Sequence, residues 1–193
     1  TYAPESVKRE IDGDRQPYFY AAFLLCLTGL LGICITGDAF NVFGFLEISS
    51  LSTYGLISLG RDRRALTAAY NYLILGTIGA TFILIGIGLM YMMTGTLNMA
   101  DLASRLQGVN HTRTIQVAFA FLSVGLTLKL ALFPLHIWLP NAYTYAPSVV
   151  TAFIAATATK VSVYVFLRFV FTIFGAYFAF GTMHIDYLLL PLA

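Results

Sequence analysis

The chain has 193 residues, 59% of them hydrophobic and 10% charged, with a mean hydropathy of +0.80. Soluble domains carry about 25% charged residues, so this composition excludes an ordinary soluble domain and describes an integral membrane protein. A net charge of +2 gives no footprint for nucleic acid. Cys26 and Cys34 share one apolar run, with neither C-x-x-C nor C-x-x-C-H, so they read as small buried hydrophobes rather than iron–sulfur or haem ligands.

Residues 1–16 are polar, with Lys8, Arg9 and Arg15 set against Glu5, Glu10, Asp12 and Asp14. They predict a solvated loop or a short interfacial helix. The apolar segment 18–36 follows, about 28 Å long as a helix and enough to cross the hydrocarbon core. Gly37-Asp38 marks a tight turn into a second segment, 39–59, closed by the basic loop Gly60-Arg-Asp-Arg-Arg64. The third segment, 65–94, is long enough to tilt or protrude. Its Gly76, Gly79, Ala80, Gly86 and Gly88 suit close helix packing in lipid.

Residues 95–114 read as a polar connection with an amphipathic turn around 99–106. The fourth segment, 115–140, contains Pro134, which lacks an N–H and crowds the carbonyl of Leu130, so a broken helix with a free carbonyl near Lys129 is expected. A short loop, 141–148, leads to the fifth segment, 149–176. Residues 177–193 read as a loop and the start of a further helix, and the two ends read as those of an internal piece of a longer polytopic chain. The expected fold is an all-α polytopic membrane bundle of five spans, one of them discontinuous. With five spans, the six basic residues of 1–16 and 60–64 share one side, and only Arg105 and Arg113 lie in the opposite 95–114 connection. The positive-inside rule makes the first side cytoplasmic.

Three ionisable residues fall near the centres of their segments: Glu47 in the second, Lys129 in the fourth and Lys160 in the fifth. A charge at the bilayer centre costs about 2.5–3.5 kcal/mol on insertion scales and persists where a partner or a hydrated cavity receives it. One acid and two bases cannot neutralise each other pairwise. Desolvation and a nearby carboxylate act oppositely on a buried lysine's proton affinity, so moving Glu47's attraction on or off Lys129 would switch whether Lys129 holds its proton. This is proton-relay chemistry; the alternative is a static buried salt bridge that fixes helix packing. Ser49, Ser50, Ser52 and Thr53 after Glu47 form a polar run able to hold water, and Ala152 and Ala156 on the Lys160 face predict contact with another helix.

His136, just past the proline, has an ordinary pKa near 6.5 and reads either as a proton carrier or as a hydrogen-bonded residue at the break. Asp38, at a membrane boundary, reads as a turn or helix N-cap, with proton entry as the other reading. Arg168 reads as a snorkelling side chain or a local pair. Trp138, Tyr143 and Tyr145 read as interfacial anchors. His111 and His184 lack partners at metal-ligand spacing, so no metal is assigned.

The stretches Gly37-Asp-Ala-Phe-Asn through Phe45-Leu-Glu47 to Tyr54, Lys129-Leu-Ala-Leu-Phe-Pro-Leu-His-Ile-Trp-Leu-Pro-Asn-Ala142, and Pro147-Ser-Val-Val-Thr-Ala-Phe with Thr159-Lys160 closely resemble the proton-translocating antiporter-like family. That family includes large membrane subunits of respiratory complex I, related hydrogenases and Mrp-type cation/proton antiporters. The Gly-Asp-x-Phe-Asn and Phe-Leu-Glu wording is most similar to the Mrp D-type subunit. The resemblance implies that Glu47 is the family's helix glutamate, Lys129 its broken-helix lysine and Lys160 the lysine that relays protons onward. It also implies that residues 17–176 form one five-helix bundle, half of an inverted repeat.

The implied function is the proton-conducting membrane subunit of a multisubunit monovalent cation (Na⁺)/H⁺ antiporter. The alternative is the proton-pumping subunit of an NADH:quinone oxidoreductase or membrane hydrogenase, and a third class is a structural scaffold. Other membrane subunits, the lipid bilayer, H⁺ and a monovalent cation are the expected partners, with no cofactor held by the chain itself and no G-x-G-x-x-G turn after a strand for one. A bacterial inner membrane is the expected location.

Overall fold

The computed structural model describes residues 2–190. Helix α1 (Tyr2–Glu10) and a 3₁₀ turn precede α2 (Gln16–Ile35), whose Pro17 sits in the first turn, where its missing N–H costs nothing. Thr36 is extended and Asp38 caps α3 (Ala39–Ser58), its carboxylate accepting the Asn41 N–H at 2.8 Å. Helix α4 (Arg64–Thr94) ends on Gly95 in the left-handed region, φ 70°. Asn98 then caps α5 (Met99–Val109), which buries Met99, Leu102 and Leu106, the apolar face of the expected amphipathic turn.

Helices α6 (Arg113–Leu130) and α7 (Trp138–Tyr145) are the two pieces of the fourth segment, and α8 (Ser148–Leu167) is the fifth. Helix α8 runs on into π-helical turns over Arg168–Phe174, ending at Gly175 with φ 83°. A second π-helical stretch, Tyr177–Thr182, occupies part of what the sequence suggests is a loop, followed by α9 (Asp186–Leu189). The last residues of the expected further helix, 191–193, lie outside the described residues.

Four helical stretches are long and apolar enough to cross a bilayer: Gly13–Ile35, Arg64–Thr94, Arg113–Leu130 and Ser148–Phe174. Helix α3 is not among them, although its 20 residues match α2 in length. Its interior is made polar by Glu47, Ser49, Ser50, Ser52 and Thr53, and it packs against α2 on one side and α4 on the other. The polar helix is thus flanked by apolar ones.

The helix ends sort into two sets. Glu10, the 60–62 loop and residues 144–147 line one cleft, which places the N-terminal segment, the α3–α4 loop and the start of α8 at the same end. At the other end the two corners before α3 and α5 pair as backbone: Ala39 N–H donates to the Leu97 carbonyl and Met99 N–H to the Gly37 carbonyl, each at 2.8 Å. Arg168 joins this second end by donating to the Thr36 carbonyl at 2.7 Å, a local pair of the kind expected. The arrangement agrees with alternating spans and with the expected grouping of basic residues.

Glycines set the closest helix approach. A Cβ on Gly86 would lie 2.5 Å from Leu122 Cγ, and one on Gly79 would lie 3.2 Å from the Gly125 carbonyl, so α4 and α6 meet nearly backbone to backbone. Gly88 departs from expectation: it faces open space.

Glu10 ties α1 to α8, accepting the Ser148 N–H and the Ser148 hydroxyl at 2.7 Å each and the Ser6 hydroxyl at 2.8 Å. Partial burial pushes the Glu10 carboxyl up, but the Ser148 and Ser6 hydrogen bonds and the nearby Arg9 together bring it below its ordinary value. A depressed carboxyl contributes stability that is present above its ordinary pKa and lost as pH falls through the lower folded value. Glu10→Gln, a neutral mimic of the acid form, should therefore speed tryptic cleavage at Lys8 and Arg9 several-fold at pH 8.

Candidate functional site

The fourth segment determines where the central lysine sits. One broken helix hinged at Pro134 is the sequence expectation; in the structure α6 stops at Leu130, four residues earlier, and seven residues separate it from α7. The residue before a proline is held out of the α region, so the helix has to end before Phe133. It does so on Ala131, a non-glycine in the left-handed region with φ 56°. Lys129 therefore lies in the last turn of α6, where the carbonyl end of the helix favours a cation.

The Leu130 carbonyl, the one expected to be free, accepts no hydrogen bond among the described residues, while those of Thr127 and Leu128 are taken. The Thr127 carbonyl accepts the Leu132 N–H at 3.1 Å, and the Leu128 carbonyl accepts both the Ala131 N–H and the Trp138 indole N–H, each at 3.1 Å. Trp138 is consequently no interfacial anchor. It is 1% exposed and stacks on Tyr72 with centroids 3.8 Å apart and planes 4° from parallel. Its ring is held by α4 while its N–H closes the end of α6, so α7 is fastened across the break. A hydrogen bond of this kind contributes about 1 kcal/mol, and the carbonyl would cost more if buried unpaired.

At mid-depth the ammonium of Lys129 lies 3.1 Å from Glu47 Oε1 and 2.7 Å from the Ser50 hydroxyl, which accepts from it. The Lys129 side chain is 3% exposed and that of Glu47 22%. The acid and base drawn from separate segments thus meet, as their common depth suggests. Of the polar run after Glu47, Ser50 alone touches the lysine; Ser49, Ser52 and Thr53 donate to carbonyls of their own helix. Thr53 also lies 3.3 Å from Cys26 Sγ, which keeps that thiol in the core.

A cavity of about 20 Å³ adjoins Lys129, enough for a single water, with polar walls from Ser49, Ser50 and Thr53 on α3 and from Thr159 and Ser162 on α8. Lys160 itself is not in that wall. It is exposed, and its ammonium donates to the Ala155 carbonyl and the Thr159 hydroxyl on its own helix. Ala152 and Ala156 on the same face are not buried, so the contact with another helix expected for them is not made among the described residues. The structure joins Glu47 to Lys129 and leaves Lys160 one helix face away, behind Thr159.

His136 lies in the α6–α7 connection, half-buried, its ring 5.6 Å from that of Phe133 and its Nδ1 buried without a hydrogen-bond partner among the described residues. It makes no hydrogen bond with Lys129 among the described residues. Asp38 is occupied as the α3 cap. Among the described residues no three His, Cys, Asp or Glu side chains cluster as metal ligands. The residue whose role the sequence misplaces is Trp138; a tryptophan beside prolines near a helix end carries the same signature whether it anchors at a headgroup or plugs a break.

A family model described as NADH:quinone oxidoreductase/Mrp antiporter, TM, matches residues 36–190. The chain belongs to that family. Over 156 residues it is 53% identical to NADH-quinone oxidoreductase subunit N of Desulforudis audaxviator, an alignment covering 81% of this chain and 31% of the relative. It is 34% identical over 159 residues to the D-type Na⁺/H⁺ antiporter subunit of Alkalihalophilus pseudofirmus, covering 82% and 32% respectively. Among solved structures, a chain of the Mrp complex from Dietzia superposes with a TM-score of 0.72 at 33% identity, covering 79% of this chain and 29% of that one. A chain of the membrane-bound sulfane sulfur reductase, an archaeal respiratory membrane complex, gives 0.73 at 41% identity, covering 76% and 30%. The chain thus spans about a third of the length of these antiporter-family relatives.

Proposed function

We propose that this chain is the proton-conducting part of a membrane subunit in a multisubunit monovalent cation/H⁺ antiporter, with Glu47 and Lys129 as the central exchange pair. The observation that carries the reading is the lysine ammonium, almost fully buried, shared between one carboxylate and one hydroxyl beside a water-sized polar cavity. A proton held there can leave only along polar groups, and Thr159 in the cavity wall is the group that also accepts from Lys160. His136 is proposed as a further member of the relay, through its unpartnered Nδ1, and Asp38 as the point of proton entry. In this reading residues 17–176 are the five-helix antiporter-like unit, 1–16 and 177–193 flank it, and a paired inverted unit, further membrane subunits and a bacterial inner membrane complete the setting.

The second reading is the same relay driven by redox chemistry in neighbouring subunits. It is favoured by the 53% identity to an NADH-quinone oxidoreductase subunit N, against 34% to the D-type antiporter subunit. Proteoliposomes of the complete complex carrying Lys129→Ala test the shared core: loss of proton flux with normal assembly is expected, and unchanged flux would sink the relay. In the unmodified complex, flux started by Na⁺ or K⁺ supports the antiporter, and flux started only by a reductant and quinone supports the redox pump.

A further inference from the structure

At the end of the bundle that carries the 60–64 loop, α4 and α7 border a cleft of about 230 Å³. Its polar walls are Arg64, Thr67 and Asn71 on α4 and Asn141 and Tyr145 on α7. Arg64 is exposed, donates to the Tyr145 hydroxyl at 3.3 Å and lies 5.8 Å from that ring's centroid. It belongs to a loop of three arginines and one aspartate, and among the described residues none of the three has a carboxylate within ion-pair distance. Asp62 is engaged with the backbone N–H of Arg64 at 2.8 Å.

Deeper along the same two helices the cleft becomes an apolar groove of about 470 Å³, lined by Tyr70, Ile74 and Leu75 with Ile137 and the edge of Trp138. Asn71 borders both parts. It lies seven residues below Arg64, about 10 Å along the helix, somewhat more than the roughly 5–7.5 Å of one interfacial layer of a bilayer. Asn71 and Asn141 are both exposed, and neither side-chain amide has a hydrogen-bond partner among the described residues. Unpartnered amides at the edge of a bilayer are costly unless the adjoining molecule offers acceptors.

We infer that this cleft is a binding site for one anionic phospholipid: phosphate on Arg64 and its loop neighbours, glycerol esters on Asn71 and Asn141, and an acyl chain against Ile74, Leu75 and Ile137. Charge, then ester-level amides, then an apolar groove follow the order of groups in such a lipid. An acidic protein segment would match the arginines but leave the groove and the amides unfilled. Because the groove's inner wall is Trp138, whose indole closes the helix turn carrying Lys129, the bound lipid braces the break from the membrane side. The site is independent of whether a cation gradient or a redox reaction drives the protein.

The test is photocrosslinking of the complete complex in liposomes with phosphatidylglycerol bearing a diazirine on one acyl chain, and in parallel with the matched phosphatidylcholine probe. Crosslinks on residues 70–75 and 137 are expected from the anionic probe in preference to the zwitterionic one. Arg64→Gln should lower them about fivefold, the contribution of one basic residue near a membrane surface. Arg64→Lys should keep most of them, and Arg113→Gln at the opposite end should change nothing. Equal labelling by the two probes would reduce the cleft to ordinary bilayer contact and overturn the assignment. Absence of labelling, or crosslinks to a neighbouring protein in its place, would assign the cleft to protein and overturn it equally.

Discussion

Glu47→Gln is expected to abolish proton flux and to destabilise the protein, whereas Glu47→Gln combined with Lys129→Met should restore stability without restoring flux. The single change leaves an ammonium, 3% exposed, with only Ser50 as a partner. Breaking a buried pair from one side costs about 3–5 kcal/mol, because the remaining charge loses its counter-ion but not its burial. Replacing both members by neutral groups of similar volume is often neutral or stabilising by about 1–4 kcal/mol. Thermal unfolding of the assembled complex should therefore fall for the single variant and recover for the double one, while flux in proteoliposomes stays at background for both. A purely structural salt bridge predicts the opposite pattern for flux, which would recover with stability.

The second large effect is steric. Gly125→Ala is expected to destabilise the protein by about 1–3 kcal/mol and to weaken transport, as overpacking does where neither neighbour can yield. A Cβ at Gly125 would meet the Gly79 carbonyl at 2.6 Å and Ile83 Cγ1 at 2.7 Å, one of them backbone. Helix α6 has to move away from α4, and Lys129, one turn further along, moves with it away from Glu47. Gly88→Ala is the control, since nothing lies within 4 Å of the added atom and an alanine in a helix interior is favoured over glycine by about 0.5–1 kcal/mol. Melting temperatures of the two variants should move in opposite directions.

Much of this architecture is legible in the sequence because a bilayer imposes a strict code. Charges at the centres of apolar runs are expensive, so Glu47 and Lys129 announce a meeting before any geometry is seen. Corner residues are equally plain: Asp38 caps, Gly95 turns left-handed, and Asn98 begins the amphipathic α5. The details of the break are harder to read, because Pro134 acts on the residues before it and the exact stopping point depends on Ala131 accepting an unusual conformation. Trp138 shows the same limit, since its burial depends on Tyr72 being across from it in space, sixty-six residues away in sequence. For Lys160, small neighbours at helical spacing suggest a packed face, yet Ala152, Ala156 and Lys160 are all exposed among the described residues.

The paired corners at Gly37–Ala39 and Leu97–Met99 have a mechanical meaning. They rivet the beginning of α3 to the turn between α4 and α5 through main-chain atoms that substitutions scarcely alter. Any relative swing of the two is a lever turning about that rivet, and displacement grows with distance from it. Glu47 sits nine residues out, about 13 Å along the arm, so a tilt of about 5° carries its carboxylate about 1 Å, within the range of ordinary hinge and shear motions. That is the difference between a carboxylate in contact with Lys129 and one that has let go.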